Sequence, residues 1–402
     1  MKQITQAVIL CGGKGTRLGK LTKNKPKPMI LISGKPFLEH LFVQLKKNGI
    51  KNILLLIGYK NEIIKKYFKN GKKLGLNIVY SYLPEKADTA ERLYNAKKLL
   101  NKSFLLLYSD NYTSLNINKL ANNFFKSKKK ILLLLSKKKN GNCKIDKFGK
   151  VQYFRKRNIK NNFVEIGYML FQKNLLKLLD KKTKNLSDFL EKLSKKNLID
   201  GIKTENNYLS IGDSKRLKET QKFFNNNDFI LIDRDGVINI VPEGERYLTS
   251  LQKLKINKKL IKKLPISPKY LCITNQAGIS TGELNIKNLY TINNKIKKIL
   301  KINKINLKNF FISTHHFKSN SFYRKPNPGL FIKASNKYQF ILDKTFYIGD
   351  DIRDIEAAYN ANTFIIYIGK KKLSSFQKKK YRFIILKKNI KKLYNEKKKF
   401  NF

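Results

Sequence analysis

Short apolar runs that alternate with amphipathic stretches constrain the fold of this chain more than any other feature. The first half reads QAVILCGG, FLEHLFVQLKKNGI, NILLLIGY, NEIIKKYFKNGKKLG and NIVYSY in order, and FLLLYSD and KILLLLS continue the series of strand-like runs. This alternation predicts an α/β fold in which helices cross over a parallel sheet. Ligands of such sheets bind at the carboxyl ends of the strands.

The same pattern starts again after a basic, polar interruption. Residues 213–228 read as a basic helix that ends in polar residues, and FILIDRDGVIN, YLCITNQAGIS, FFISTHH and FYIGDD then each place a polar loop after an apolar strand. A chain of 402 residues is long for one core, because single cores stop growing near about 250–300 residues. We therefore predict two doubly wound α/β domains, at residues 1–222 and 228–370, and a lysine-rich tail at 371–402 that either packs or extends.

The formal net charge of +60 raises the question of a nucleic-acid or membrane partner. The lysines are spread along nearly every segment, whereas a binding patch is local, and no zinc-finger, basic-zipper or RNA-recognition signature accompanies them. No apolar run approaches the roughly 18 residues of a membrane span, and Cys11, Cys143 and Cys272 form no C-x-x-C pair. We expect a globular cytoplasmic protein without a specific nucleic-acid partner or a membrane span.

A glycine-rich loop follows the first strand. Residues 10–18 read LCGGKGTRL, where glycine lets the backbone approach phosphates and loop amides bind their oxygens. Lys14 or Arg17 can offset the charge that develops on a leaving pyrophosphate. KPKPM at residues 25–29 and GKPFL at residues 34–38 follow closely. The combination indicates a nucleotide site in the first domain.

Together these segments resemble the sugar-1-phosphate nucleotidyltransferase family, as far as about residue 220, and its mannose- and heptose-1-phosphate guanylyltransferases among them. The resemblance implies a Rossmann-like, GT-A-like domain that uses Mg²⁺ while a sugar 1-phosphate attacks a nucleoside triphosphate and pyrophosphate leaves. By position it implies these roles: Arg17 and Lys27 hold phosphates, Gly12 and Gly13 face the nucleotide, Asp110 binds Mg²⁺, Lys156 contacts the sugar phosphate, and Glu165 belongs to the sugar-binding strand.

Two departures from the family pattern open an alternative. The family usually places a second metal-binding aspartate before Ile-Gly near the end of the domain, where this chain has Ser210. Asp213 lies three residues on, but side chains alternate faces along a strand, so the displacement is not obviously equivalent. Residues 88–92 lack the small glycine pair usual beside the base and sugar. The alternative is an inactive first domain that only binds a sugar nucleotide.

Two carboxylates two residues apart follow the strand FILI in the second domain. Asp233 can attack phosphorus while Asp235 donates a proton to the leaving alcohol and later activates water. TNQ at 274–276, RKP at 324–326 and GDD at 349–351 follow in order. A carboxylate that attacks a phosphoryl group needs Mg²⁺ and a lysine to offset the repulsion.

This ordered set resembles the four motifs of haloacid-dehalogenase-type phosphatases across residues 228–368. DRDGVIN, TNQAGIS and RKPNPG are most similar to the D-glycero-D-manno-heptose 1,7-bisphosphate phosphatases, with histidinol phosphatases a close relative. The resemblance implies these roles: Asp233 is the nucleophile, Asp235 the general acid and base, Thr274 and Lys325 hold phosphoryl oxygens, Asn275 contacts substrate, Arg324 reads a second phosphate, and Asp233, Asp235 and Asp350 bind Mg²⁺.

That subfamily often carries a structural zinc on paired C-x-H and C-x-C motifs. Residues 313–316 and 321–323 stand at the matching places here and retain one candidate ligand of the four. Tetrahedral zinc needs four donors, so we expect no zinc. Asp351 and Asp354 lie in the same loop as Asp350, where we expect them to cap a helix or support the site.

The two resemblances connect chemically. Removal of the 7-phosphate from a heptose bisphosphate leaves heptose 1-phosphate, which is the kind of substrate that a sugar-1-phosphate nucleotidyltransferase consumes. The hypothesis is a bifunctional enzyme of nucleotide-heptose synthesis for surface polysaccharide, acting on sugar phosphates and a nucleoside triphosphate. The alternatives are a phosphatase of histidinol phosphate or another phosphorylated sugar, and a protein that binds polyanions through its charge alone.

Overall fold

The computed structural model describes most of the chain, over residues 3–127, 129–180, 183–381, 384–385 and 389–400. The chain divides into two compact units, which are Met1–Thr113 with Ile117–Lys222 and Ser114–Asn116 with Phe223–Phe402. The boundary after Lys222 falls within a helix, and nothing in the sequence pattern set residues 114–116 apart. Among the described residues, none of the helices combines the length and the apolar character that crossing a membrane requires.

The first unit contains thirteen strands among its described residues and the helices that connect them. The strands are β1 Gln6–Cys11, β2 Leu31–Ile32, β3 Lys35–Pro36, β4 Asn52–Ile57, β5 Asn77–Tyr82, β6 Ser103–Tyr108, β7 Asn111–Tyr112, β8 Ile131–Lys137, β9 Cys143–Ile145, β10 Val151–Tyr153, β11 Phe163–Gln172, β12 Ile199–Thr204 and β13 Leu209–Ser210. The helices are α1 Lys20–Lys23, α2 Phe37–Lys47, α3 Asn61–Phe68, α4 Thr89–Asn95, α5 Ile117–Lys126, α6 Leu186–Lys195 and α7 Ser214–Asn225.

One large sheet forms the centre of the first unit, in the order β10-β9-β11-β6-β1-β4-β5, with β8 paired to β11 and β12 paired to β8. Strands β6, β1, β4 and β5 run parallel, as the alternation of strands and helices predicts. Strand β11 runs antiparallel to both of its long neighbours, β6 and β8. The sheet is therefore mixed, and the carboxyl ends of β1, β4 and β6 share one edge.

The second unit repeats the pattern with its own strands and helices. The strands are β14 Phe229–Ile232, β15 Asn239–Ile240, β16 Lys255–Ile256, β17 Lys269–Asn275, β18 Asn306–Ser313, β19 Phe346–Gly349, β20 Phe364–Tyr367 and β21 Ile384–Ile385. The helices are α8 Lys258–Ile261, α9 Gly278–Thr281, α10 Ile286–Ile302, α11 Gly329–Tyr338, α12 Ile352–Ala361, α13 Ser375–Lys380 and α14 Ile390–Phe400.

The sheet of the second unit is parallel throughout, in the order β18-β17-β14-β19-β20-β21. Alternate residues of β14 enter two different apolar clusters, since Phe229 and Leu231 pack with residues of α11 and α12, whereas Ile230 and Ile232 pack with residues of α10. A strand that is buried on both faces must be apolar along its whole length, which accounts for FILI. Both faces of this sheet are covered, as a doubly wound domain requires.

The lysine-rich segment 371–402 groups with the second unit and contributes to its core. Ile390 and Tyr394 of α14 are buried in the cluster that covers one sheet face, and the Tyr394 hydroxyl donates to the carboxylate of Asp228. Residues 382–383, 386–388 and 401–402 of the predicted tail lie outside the described residues. Where it is described, the segment packs.

Truncation of Tyr394 tests this packing. Tyr394→Ala removes a large buried side chain, which costs about 3–5 kcal/mol. We expect amides of β14 and β17 to exchange at least about a hundredfold faster by hydrogen-exchange mass spectrometry. Tyr290→Ala on α10, where the side chain is 58% exposed, is the control and should leave that exchange unchanged. Equal exchange in the two variants would contradict a packed α14.

Candidate active sites

Three neighbouring strands of the second unit end at one place. Asp233 follows β14, Thr274 lies near the end of β17 and Asp350 follows β19, and β14 lies between the other two strands. The carboxyl ends of parallel strands meet at the same edge of a sheet. These side chains accordingly line one pocket of ≈ 890 Å³, together with Arg324 and Lys325.

A buried ion pair joins the expected nucleophile to the expected phosphate-binding lysine. Nζ of Lys325 lies 2.7 Å from Oδ2 of Asp233, and the two side chains are 4% and 11% exposed. Burial raises the pKa of Asp233, an effect that the nearby ammonium opposes. Burial alone would lower the pKa of Lys325, but Asp233 and Asp354 raise it above its ordinary value, which favours the ammonium form. A carboxylate beside a fixed cation is an arrangement suited to phosphoryl transfer.

Three carboxylates converge beside this pair. Oxygen atoms of Asp233, Asp350 and Asp354 lie within 4.8 Å of one another, and hard carboxylate oxygens are the donors that Mg²⁺ prefers. The residues present therefore fit this cation. A β-carbon at Gly236 would overlap the Asp350 carboxylate, and Gly236 has a φ of +79°, so glycine both forms the turn and admits the carboxylate.

Asp235 lines the same pocket but has a different set of partners. Arg234 donates to both of its carboxylate oxygens at 3.0 Å, and Gln276 and Asn239 donate at 2.7 and 3.0 Å. Burial acts to raise the pKa of Asp235, but these donors hold it below its ordinary value. Among the carboxylates that the structure describes, Asp235 is not part of the cluster at the metal position. Its surroundings favour a proton acceptor.

Asn275 fixes the segment that carries the lysine. Its Nδ2 donates to the main-chain oxygen of Lys325 at 3.1 Å, and the Lys325 amide donates to Asn275 Oδ1 at 3.1 Å. Asn275, which was expected to contact substrate, thus uses both its amide nitrogen and its amide oxygen to bind the main chain of Lys325. Thr274, which is buried, accepts a hydrogen bond from Gln276 at 2.8 Å.

Further cations line the wider part of the pocket. Arg324 is 8% exposed and donates to the main-chain oxygen of His315 at 3.2 Å, while burial and the charge of Arg353 lower its pKa. Arg246, Arg353 and Lys370 line the pocket as well. Their types give no signal in a chain with 87 Lys and Arg residues, so the sequence did not single them out.

The first unit places a second lysine–aspartate pair at the carboxyl edge of its sheet. Nζ of Lys27 lies 2.6 Å from Oδ2 of Asp110, with the side chains 10% and 23% exposed. Asp110 follows β6, and Gly12 and Gly13 follow β1, its neighbour in the sheet. Arg17 is exposed in the turn that comes next. The residues expected to bind nucleotide and metal therefore lie on neighbouring loops.

Two sugar-binding candidates differ in their placement. Glu165 is buried on β11, where burial, with a further contribution from Asp110, raises its pKa to about 7. Lys156 is exposed and lines an open pocket of ≈ 390 Å³ with Lys144 and Arg157. Asp110 and Glu165 do not line that pocket, whereas the charge of Asp110 acts on Glu165.

Ser210 occupies a position beside the candidate metal ligand. In the β13–β7 pair it is opposite Asn111, the residue after Asp110. Asp213, the possible substitute for the missing aspartate, is paired with Arg216. Its carboxylate lies 3.4 Å from the Arg216 Nε, and the Arg216 amide and guanidinium lower its pKa. In the described chain, Asp110 is not a member of any cluster of three metal-binding side chains.

Arg92 is a buried cation whose place the sequence did not reveal. Its guanidinium donates at 2.6 to 2.8 Å to the main-chain oxygens of Ile57, Leu83 and Pro84. A β-carbon at either Gly12 or Gly58 would overlap it. Gly12 therefore admits the guanidinium, whereas Gly13 has open space above its Cα. In the helix sequence TAERLYN, Arg92 is buried together with Ala90 and Leu93, which the residue types alone did not indicate.

The pH dependence of Mg²⁺ binding tests the carboxylate cluster. Burial and the neighbouring Asp354 raise the pKa of Asp350 to about 6, so this side chain becomes a carboxylate as the pH rises through that value. We expect Mg²⁺ affinity, measured by calorimetry, to increase between about pH 5 and pH 7. Asp350→Asn should bind Mg²⁺ weakly at every pH. A wild-type affinity that is constant across this range would count against the assignment.

Comparison with known proteins follows the division into two units. The nucleotidyl transferase family model matches residues 6–224, and the polynucleotide kinase 3 phosphatase model matches residues 218–364. The second unit thus carries a phosphatase-like domain. A crystal structure of HddC from Yersinia pseudotuberculosis aligns with a TM-score of 0.48 and 23% identity, over 55% of this chain and all of that one.

Two curated relatives each match part of the chain. D-glycero-alpha-D-manno-heptose 1-phosphate guanylyltransferase of Campylobacter jejuni is 43% identical over 118 residues, 29% of this chain and 53% of that protein. The bifunctional protein GlmU of Methanocaldococcus jannaschii is 30% identical over 249 residues, 60% of this chain and 59% of that protein. The chain thus spans little more than half the length of these relatives. Because the first family model covers more than half of its 402 residues, the chain belongs to the nucleotidyl transferase family.

Proposed function

We propose that the chain catalyses two consecutive steps of nucleotide-heptose synthesis. The second unit removes the 7-phosphate of D-glycero-D-manno-heptose 1,7-bisphosphate, and the first unit transfers a nucleotidyl group to the resulting heptose 1-phosphate. The observation that carries the phosphatase step is the convergence of Asp233, Lys325 and Asp350 in one pocket. The heptose 1-phosphate guanylyltransferase of Campylobacter jejuni, to which part of the chain is similar, supports the heptose 1-phosphate step.

The phosphatase chemistry follows from the placement of the side chains. An oxygen of Asp233 attacks phosphorus, the bond to the sugar oxygen breaks, and the leaving oxygen takes a proton from Asp235. Water then attacks the aspartyl phosphate and gives its proton to Asp235, which releases phosphate and restores Asp233. Mg²⁺ held by Asp233 and Asp350 would supply charge that offsets the repulsion between carboxylate and phosphoryl oxygens. The Arg234 pair favours the ionised form of Asp235, so Asp235 first takes up a proton, from water or from a singly protonated phosphate of the substrate, before it protonates the leaving oxygen.

The size and charge of the pocket support a substrate with two phosphates. A volume of ≈ 890 Å³ leaves room beyond one phosphoryl group, and Arg246, Arg324, Arg353 and Lys370 line it in addition to the catalytic lysine. Guanidinium groups bind phosphate oxygens in pairs of hydrogen bonds. Arg324 is the buried one of the three arginines, which makes it the leading candidate to bind the phosphate that is retained.

In the first unit, the sugar 1-phosphate oxygen attacks the α-phosphorus of the nucleoside triphosphate, and pyrophosphate leaves. Lys27 and Arg17 offset the charge on the phosphates, and Asp110 would hold Mg²⁺, which supplies further positive charge when bound. The Lys27–Asp110 pair at 2.6 Å places these two roles side by side. We propose an active domain, despite Ser210, because this pair and the glycine loop are both present at the sheet edge.

A second candidate for the phosphatase is a 3′-phosphorylated polynucleotide. The family model matched by residues 218–364 and the net charge of +60 favour it. A polynucleotide binds through many phosphate contacts, so its hydrolysis would slow steeply as salt increases. Hydrolysis of a small bisphosphate depends less on salt, which separates the two substrates.

The phosphatase assignment predicts the outcome of Asp233→Asn. The amide cannot form the aspartyl phosphate, so we expect wild-type protein to release phosphate from heptose 1,7-bisphosphate with Mg²⁺ and the variant to lose at least about 10³-fold in rate. Glu283→Gln, the same change at an exposed side chain, should keep full activity. Release from a 3′-phosphorylated oligonucleotide but not from the bisphosphate would favour the second candidate; activity in Asp233→Asn would refute the nucleophile.

The transferase assignment predicts the outcome of Lys27→Met. With heptose 1-phosphate and each nucleoside triphosphate in turn, wild-type protein should release pyrophosphate, and the variant should lose about 10²–10³-fold because a phosphate-binding cation is gone. Lys46→Met on α2, whose Nζ donates to the Leu74 carbonyl, is the control. Silence of wild-type protein with all triphosphates would refute nucleotidyl transfer to heptose 1-phosphate and favour the alternative of an inactive first domain.

A further inference from the structure

A tyrosine in the centre of the second sheet reaches the phosphatase site. Tyr347 lies on β19, two residues before Gly349, and is fully buried. The sequence FYIG reads as an ordinary apolar strand, and the ring packs edge-on against Phe331 with centroids 4.8 Å apart. Its hydroxyl, however, contacts the two charged groups Lys325 and Asp354.

The three N–H groups of the Lys325 ammonium have three acceptors. They are Asp233 Oδ2 at 2.7 Å, Asp354 Oδ1 at 2.8 Å and Tyr347 Oη at 2.9 Å. A buried ammonium needs a partner for each N–H group, because one that is unpaired costs the desolvation of that donor. Tyr347 thus supplies the one neutral acceptor of the set, and this acceptor remains when substrate draws the ammonium away from Asp233.

Both carboxylate oxygens of Asp354 also accept hydrogen bonds. Its Oδ2 accepts from the amides of Asp350 and Asp351 at 3.1 Å, and its Oδ1 accepts from Lys325 and from the Tyr347 hydroxyl at 2.8 Å. The two amides belong to the loop that presents Asp350. Asp354 therefore ties that loop to Tyr347, and its own oxygens are occupied by donors.

We propose that Tyr347 is a positioning residue of the phosphatase, which rests on the phosphatase activity proposed above. A phenol donates one hydrogen bond and accepts another at the same time, so it holds Lys325 and Asp354 at a fixed separation. When Lys325 turns an N–H group towards a phosphoryl oxygen, the Tyr347–Asp354 bond keeps the Asp350 loop in place. Phenylalanine would fill the same space without either bond.

Tyr347→Phe and Tyr270→Phe form a matched pair for the test. Tyr270 lies on β17 of the same sheet, is equally buried, and donates to the main-chain oxygen of Pro265 at 2.6 Å. Both variants lose one buried hydroxyl, and only Tyr347 contacts the site. Two quantities are measured in each protein, the Mg²⁺ dissociation constant by calorimetry without substrate, and kcat and KM for phosphate release.

We expect Tyr347→Phe to lower kcat about tenfold and to weaken Mg²⁺ binding about threefold to tenfold, with KM within about twofold of wild type. Tyr270→Phe should match wild type in all three. Wild-type values of kcat and Mg²⁺ affinity in Tyr347→Phe, or equal losses in the two variants, would overturn the proposal. If wild-type protein released no phosphate, the proposed function would fail, and the Mg²⁺ constants alone would decide the role of Tyr347.

Discussion

The buried ammonium of Lys325 is the interaction on which the second site depends. An unpaired ammonium in this interior would cost several kcal/mol, so the protein surrounds it with Asp233, Asp354 and the Tyr347 hydroxyl. Asp233 follows β14, Tyr347 lies on β19 and Asp354 lies in the first turn of α12. Asn275 at the end of β17 holds the main chain of Lys325. The requirement to satisfy one charge thereby fixes the ends of three neighbouring strands, and with them the candidate nucleophile and metal ligands.

The first unit also has a lysine–aspartate pair at the carboxyl edge of its sheet. Lys27 and Asp110 lie 2.6 Å apart at the carboxyl edge of the parallel strands of a mixed sheet, but the Asp110 side chain is 23% exposed, against 11% for Asp233. A more accessible pair can exchange its partner for a phosphate or a cation at lower cost. Arg92 beneath Gly12 adds a second buried cation there, with main-chain carbonyl oxygens as its acceptors. Both units thus present positive charge where a phosphate would bind.

The alternation of apolar strands and amphipathic helices predicted the α/β architecture of the two units. Strands that are buried on both faces are apolar along their length, and runs such as FILI and FYIG can be recognised as such in the sequence. It did not predict that β11 runs antiparallel, since direction depends on a loop without such a pattern. The family resemblance implied that Asp233 and Asp350 share a Mg²⁺ site, and the structure places them after the adjacent strands β14 and β19. The sequence did not predict the contacts of Tyr347 and Arg92. A tyrosine in an apolar strand is expected to be an ordinary core residue, and an arginine in a helix is expected to be exposed. Their partners come from distant segments of the chain, which the sequence pattern does not bring together.

Formation of a nucleotide-linked heptose from the bisphosphate tests the central claim, that one chain performs both steps. Protein, Mg²⁺, heptose 1,7-bisphosphate and the nucleoside triphosphates are mixed, and products are followed by mass spectrometry. The account predicts a nucleotide-linked heptose with one phosphate and one pyrophosphate per product molecule; Asp233→Asn should form it only from heptose 1-phosphate. Consumption of the bisphosphate without any nucleotide-linked sugar, or the same product yield from Asp233→Asn and wild type, would contradict the account.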